Sequence, residues 1–307
     1  MKAIGISRPE RMQVLTLMDI PVPELDRGEA LVRIQTVGVG IQDRWWIPSN
    51  ARFPYAIGLE GAGIIESVGS GVTGFEPGDR VMFSSAQQPK GGTWAEFVAV
   101  PGACLISMPD ALEFTDAVAL PIAGTTALEG LRALELGRDG TVFMAGASGA
   151  IGTLAIQLAT MRGYRVAASA SAKNHEHMLW LGAGLAVDYR DPDWAKQVLQ
   201  WMPEGVGAAL AIQPATGVTS MQVVRDGGKV VTISGDQVSP ERGITVEQMR
   251  HHPETLKELS RLAEDVAAGR VRVVIERAYP FEQGIEALQK TETRHAQGKV
   301  VLTMPDR

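Results

Sequence analysis

The stretch from Thr141 to Gly163, TVFMAGASGAIGTLAIQLATMRG, changes character twice within a few residues. Val142, Phe143, Met144 and Ala145 form a short unbroken apolar run, which suits a strand buried on both faces. Gly146, Ala147, Ser148 and Gly149 interrupt it, and their small size permits a tight turn and close backbone approach. From Ala150 the period becomes helical, with Ile151, Leu154, Ala155 and Leu158 at i, i+3, i+4 and i+7. Strand, glycine turn and helix in this order aim free backbone N–H groups and a helix N-terminus at a phosphate. The competing reading is a turn whose small residues serve packing alone. The flanking strand and helix are the context that the phosphate reading requires.

Downstream the alternation continues. Strands are expected at 165–169, 185–188, 207–212 and 228–233, with helices at 150–162, 173–181, 192–202 and 217–225. Such alternation is the signature of a doubly wound parallel sheet with helices on both faces, an α/β fold. Upstream, Asp116 to Leu134 is helical in pattern, with a break near Pro121 and Gly124. Residues 1 to about 100 read as short strands (30–37, 64–68, 80–83 and 95–100) between Gly, Pro and Asp clusters. The glycine-dense segment 58–83 implies bends and bulges, hence a partly open barrel or a sandwich. After a helix at 253–268 the tail returns to β character at 271–275 and 298–303, with a helix at 281–291 between. The expected organisation is a nucleotide domain, 116–250, inserted into a discontinuous β-rich domain, 1–115 and 251–307.

The chain has 307 residues, with 45% hydrophobic and 21% charged, an ordinary globular composition long enough for about two domains. A net charge of −6 argues against a general nucleic-acid or anionic-membrane binder. One cysteine, Cys104, excludes internal disulfides and a cysteine-built zinc site, and it fits a reducing compartment. The N-terminus has no apolar signal core and no window approaches a membrane span, so a cytoplasmic location is expected.

The nucleotide can be narrowed. Folds of this kind that take NAD place Asp or Glu at the end of the second strand to hold the ribose 2′-hydroxyl. Here Arg165–Ser169 is followed by Ala170, Ser171, Ala172, Lys173 and Asn174, with no acid before Glu176. Ser171 and Lys173 offer a hydroxyl and a cation to a 2′-phosphate instead, so NADP(H) is favoured.

With these motifs in order, the chain resembles a zinc-independent medium-chain dehydrogenase/reductase of the quinone oxidoreductase (zeta-crystallin-like) family. The resemblance runs through nearly the whole length, carried by GLEGAGIIESVGSGVTGFEPGDRV (58–81), GGTWAEFVAVP (91–101), ALPIAGTTAL (119–128), GASGAIG (146–152), VDYR (187–190) and GKVVL (298–302). It implies a GroES-like partial β-barrel catalytic domain plus a Rossmann domain, with NADPH and substrate in the cleft between them. Zinc-dependent relatives carry Cys and His where this chain has Gly40 and Leu59, neither of which can ligate zinc, so no metal is expected. By the same resemblance Gly146, Ala147, Ser148, Gly149, Ala150, Ile151 and Gly152 cradle the pyrophosphate. Ser169, Ser171 and Lys173 reach the adenosine ribose and its phosphate, Tyr189 lies along the adenosine, and Thr125, Ser234 and Gly235 line the nicotinamide. Counted back from Leu181, the family lysine falls on Asn174, one residue after Lys173, which leaves open which of the two meets the phosphate.

Without a metal to polarise a carbonyl, acceptors that delocalise their own charge are favoured: quinones or α,β-unsaturated carbonyls. Residues 41–58, with Ile41, Trp46 and Tyr55 foremost, are the candidate substrate pocket, and the Tyr55 hydroxyl is the candidate proton donor. Asp43 and Glu60 occupy positions of family carboxylates and read as architectural. Two alternatives stand beside the reductase: an acyl-chain enoyl reductase, and an NADPH-binding sensor or structural protein with little turnover. A homodimer formed through sheet extension near Val230–Gln237 is the family habit.

Overall fold

A computed structural model describes residues 1–11, 14–85 and 88–305. The β-rich part opens with β1 (Lys2–Ile6), β2 (Thr16–Asp19), β3 (Glu29–Val39), β4 (Tyr55–Ala56), β5 (Glu60–Val68), β6 (Arg80–Ser84), β7 (Phe97–Pro101) and β8 (Leu105–Ser107). Helices α1 (Phe114–Ala117) and α2 (Ala123–Ala133) follow. The alternating part runs β9 (Thr141–Ala145), α3 (Ala150–Met161), β10 (Arg165–Ala170), α4 (His175–Trp180), β11 (Leu185–Asp188), α5 (Trp194–Trp201) and β12 (Val206–Ala211). It continues through α6 (Thr216–Ser220), β13 (Val224–Thr232) and β14 (Thr245–Gln248), and the chain ends with α7 (Thr255–Ala267), β15 (Ile275–Pro280), α8 (Gly284–Glu292) and β16 (Lys299–Thr303).

The chain divides into two compact units: Met1–Ile122 with Ser260–Arg270 and Ile275–Arg307, and Ala123–Leu259 with Val271–Val274. These limits differ from the expected 115/116 and 250/251, and the local contacts give the reason. Helix α1 packs on β3 and β5 of the β-rich unit, and Arg80 lies 4.5 Å over the Phe114 ring while donating to the Pro109, Asp110 and Leu112 carbonyls. At the other limit, residues 251–255 are held to α2 through the buried Glu129. Its carboxylate accepts from His252 N–H and the Thr255 hydroxyl and pairs with His251 Nδ1 at 2.9 Å.

In the second unit one six-stranded sheet has the order β11-β10-β9-β12-β13-β14, every pair parallel. Renumbered within the unit this is 3-2-1-4-5-6, the doubly wound order of the Rossmann fold. Its central strands are continuously apolar because both faces are covered; all six residues of β12 are buried. In the β-rich unit the main sheet runs β15-β16-β3-β5-β6-β8, with β7 also paired to β3, and a small sheet β2-β1-β4 stands beside it. This matches the partial barrel. Register shifts between Leu31 and Val32 and between Ile34 and Thr36 provide the expected bulges.

Four local expectations are corrected. The helix expected at 217–225 ends at Ser220, and the strand expected at 228 begins at Val224. The Gly227–Gly228 pair reads in sequence as a loop between helix and strand. It is a bulge inside β13, where the partner register jumps from Val206↔Val224 to Ala208↔Lys229 and Gly227 sits at φ +70°. The strand expected at 271–275 starts at Ile275. Finally, β13 is not an edge: β14 pairs along it from Lys229↔Thr245 to Thr232↔Gln248. Residues 230–232 are therefore paired on both sides within the chain, and the outer strand on that side is Thr245–Gln248.

Candidate functional site

The site in the α/β unit is built at the carboxyl ends of adjacent strands. The order reverses between β9 and β12, and ligands of open α/β sheets settle at such a switch point. Gly146 leaves β9 at φ +78°, a left-handed value, and a Cβ there would lie 2.2 Å from Gln213 Cγ in the loop after β12. Gly152 has the opposite crowding: a Cβ would stand 2.3 Å from the Ala147 carbonyl, so only glycine lets α3 pack onto the turn. Gly149 has no heavy atom within 4 Å of where its Cβ would be. The three glycines thus divide the labour as a dinucleotide turn requires: a sharp bend, an open approach and close helix packing.

Gly149 also caps α3 without a side chain. The first intrahelical bond runs from Thr153 N–H to the Gly149 carbonyl at 3.0 Å, leaving the Ala150, Ile151 and Gly152 N–H groups without a helical acceptor. The turn is pinned from one side by Ser169, whose carbonyl accepts Gly146 and Ala147 N–H at 3.0 and 2.9 Å. An uncapped helix start facing open space suits a pyrophosphate.

The expected residues of the adenosine end gather where β10 and β11 finish, side by side in register Ala170↔Asp188. Ser171 follows β10 and accepts from Asn174 Nδ2 at 3.3 Å. Asn174 is buried, whereas Lys173 is exposed with no partner among the described residues. Tyr189 is 53% exposed directly after β11. The sequence window showed no acid at the end of the second strand, but the fold places one there from the neighbouring strand. Asp188 accepts Ala172 N–H at 3.1 Å and a two-pronged bond from Arg190 at 3.0 and 2.7 Å. These hydrogen bonds, the Arg190 side chain's foremost, hold its carboxyl well below the usual carboxylate range.

After β13, Ser234 and Gly235 are exposed. The Ser234 hydroxyl donates to Asp236 at 3.1 Å, and Asp236 accepts Ala215 and Gly217 N–H at 3.0 and 3.1 Å. Desolvation pushes the Asp236 carboxyl up, but these donors together hold it below its ordinary value. It locks the loop after β12, where Ala215 adopts φ +64°, to the loop after β13. Sequence reasoning missed this residue, though an Asp just past a glycine turn is a hint of such a lock. Thr125 is half-buried on α2. Thr232, at the end of β13, is 1% exposed with its hydroxyl unpartnered, a polar atom that a ligand group can satisfy.

In the β-rich unit, residues 41–58 separate into two sets. Trp45 and Trp46 are 63% and 54% exposed and Ile41 is half-buried. Tyr55 is not on that surface. It is 2% exposed within the core, and its hydroxyl donates to the Gln88 carbonyl at 3.1 Å. Burial pushes its phenol up to about 12. Arg44 donates to Glu292 at 2.8 Å rather than standing free. Behind this segment lies a buried charge cluster. Lys299 pairs with Glu60, whose other oxygen accepts Ile122 N–H at 2.9 Å, and Asp43 accepts Gly40 N–H at 2.9 Å and Trp94 Nε1–H at 3.2 Å. Burial raises the Asp43 carboxyl to about 7, and Glu60 adds to the rise while Lys299 opposes it. Gly40 and Leu59, where the resemblance places the metal ligands of zinc-dependent relatives, carry no ligating side chain. No group of three or more His, Cys, Asp or Glu among the described residues is arranged for a metal.

A doubly wound sheet with this glycine turn, joined to a partial barrel, defines a dinucleotide-binding protein of the dehydrogenase type. Comparison with known proteins narrows the class. Residues 26–110 match the model of the alcohol dehydrogenase GroES-like domain, and residues 181–302 match that of a zinc-binding dehydrogenase. The chain is 30% identical to an NADPH-dependent alkenal/one oxidoreductase of Arabidopsis thaliana, over 98% of this chain and 79% of the relative. It is 26% identical to a quinone oxidoreductase of Sus scrofa, over 96% and 94% of the two chains. Among solved structures, a quinone oxidoreductase from Coxiella burnetii superposes with a TM-score of 0.88 at 25% identity, covering 99% of each chain. The chain belongs to the medium-chain dehydrogenase/reductase family of oxidoreductases. The zinc in the name of the matched model does not fit the residues present here.

Proposed function

We propose that this protein transfers hydride from NADPH to a quinone or an α,β-unsaturated carbonyl. The observation that carries the reading is the turn from Gly146 to Gly152, open at Gly149 and closed by packing at Gly146 and Gly152. When bound, NADPH supplies the hydride from its nicotinamide. The chain's own part is to hold and orient. The Ala150–Gly152 N–H groups take the pyrophosphate, and Ser171 and Lys173 take the 2′-phosphate. Thr125, Ser234 and Gly235 border the nicotinamide. Asn174, buried and turned to Ser171, supports Lys173 as the phosphate ligand.

Gly40 and Leu59, which offer no metal ligand, support acceptors that spread their own developing charge. Trp45 and Trp46 offer flat, exposed aromatic area for such a ring. With the Tyr55 hydroxyl already committed to Gln88, water supplies the proton in this reading. The single cysteine is in keeping with a cytoplasmic location, and a homodimer, if formed by sheet extension, would use the outer strand Thr245–Gln248.

The test is NADPH oxidation followed at 340 nm with a panel of quinones, short enones, long enoyl thioesters and saturated ketones. Turnover on quinones or short enones, and not on saturated ketones, is expected. Activity confined to long enoyl thioesters would assign the acyl-chain enoyl reductase instead. Tight NADPH binding without consumption on any acceptor would leave the sensor reading.

A further inference from the structure

We propose that Arg190 sets the coenzyme preference by masking Asp188, so that an acid placed to hold a ribose hydroxyl becomes part of a phosphate site. The inference rests on the NADPH reading above and deepens it.

Asp188 stands at the end of β11, in register with Ala170 at the end of β10, and its carboxylate accepts the Ala172 N–H. It is therefore beside Ser171 and Lys173, at the place where a dinucleotide fold decides between a 2′-hydroxyl and a 2′-phosphate. A bare carboxylate there accepts the two ribose hydroxyls and repels a phosphate. Here both of its oxygens are taken. Arg190 Nε and its backbone N–H reach Oδ1 at 3.0 Å each, and Nη2 reaches Oδ2 at 2.7 Å. The pair is short in sequence and rigid in geometry, a fork-on-carboxylate arrangement that cancels the negative charge. Arg190 Nη1 has no partner among the described residues, and the side chain is 59% exposed. The guanidinium lies 5.7 Å from the centre of the exposed Tyr189 ring. Arg190 thus neutralises the acid on one edge and keeps a donor for a phosphate on the other, with Lys173 as a second cation and Tyr189 as a flat wall.

Four proteins separate this from a structural role: wild type, Arg190→Gln, Asp188→Asn/Arg190→Gln, and Lys173→Ala. The readout is direct binding, by calorimetry, of adenosine 2′,5′-bisphosphate, AMP, NADPH and NADH, with melting temperature as a check on folding. Arg190→Gln is expected to weaken adenosine 2′,5′-bisphosphate by about tenfold or more, since it removes a cation and exposes an anion. NADH should bind as well as before or better, because the freed carboxylate can accept ribose hydroxyls. In the double variant, removing the exposed charge should restore roughly threefold or more of the lost bisphosphate affinity. Lys173→Ala should weaken the bisphosphate without any gain for NADH.

Wild type binding the bisphosphate no tighter than AMP would overturn the NADPH reading itself. A normal wild-type preference that Arg190→Gln leaves unchanged would overturn the masking role alone. So would an equal loss for NADPH and NADH, or a double variant no better than the single one.

Discussion

Asp43 is nearly inaccessible, at 2% exposure, and burial raises its carboxyl from 3.8 to about 7. Between those values the folded chain keeps a proton that the unfolded chain has released, so stability falls as pH rises across the window. Each tenfold change in proton affinity is worth about 1.4 kcal/mol. The group therefore costs roughly 2 kcal/mol at pH 5 and about 4 kcal/mol at pH 8 by linkage. Glu60 and Lys299 are the charged groups that act on it, and neither is altered by the substitution Asp43→Asn. The carbonyl of the substituted asparagine can still accept the Gly40 and Trp94 donors, while the ionisation is gone. Melting temperatures of wild type and Asp43→Asn should therefore diverge with pH. The variant's advantage is expected to grow by about 2–3 kcal/mol from pH 5 to pH 8, or roughly 3–5 °C in a chain of this length. An identical difference at both pH values would show that Asp43 titrates as an ordinary carboxylate and would refute the burial argument.

Gly149→Ala meets open space, so its melting temperature should hold while NADPH binding weakens about tenfold; unaltered binding would remove the pyrophosphate from this turn. Gly152→Ala drives a Cβ against the Ala147 carbonyl and should cost about 1–3 kcal/mol in urea unfolding. Tyr55→Phe loses one partly buried hydrogen bond, about 1 kcal/mol, and should change kcat by less than about threefold. A loss of about a hundredfold would restore the hydroxyl as a general acid. Lys299→Met strands the buried Glu60 and should cost about 3–5 kcal/mol, much of it recovered by adding Glu60→Gln; equal stability of both variants would deny the pair its role.

The sequence by itself determined the architecture and the strand–glycine–helix turn. Unbroken apolar strands alternating with amphipathic helices leave few solutions but a covered parallel sheet, and Gly146, Gly149 and Gly152 sit in one short local stretch whose backbone demands are readable in order. The ends of elements were less legible. The bulge at Gly227–Gly228 passes for a loop, because glycine marks both, and only the partner strand tells them apart. Side chains whose meaning depends on distant neighbours were decided by tertiary structure alone. Tyr55 reads as a free aromatic hydroxyl until the Gln88 carbonyl is placed against it. The acid missing after β10 arrives from β11, already neutralised, because parallel strands put residues 170 and 188 side by side. Asp43, Glu60 and Lys299 are ordinary surface types until folding gathers them and burial raises the pKa of Asp43. Local backbone chemistry is written in consecutive residues, whereas hydrogen-bond partners and desolvation come from segments that only the completed fold brings within reach.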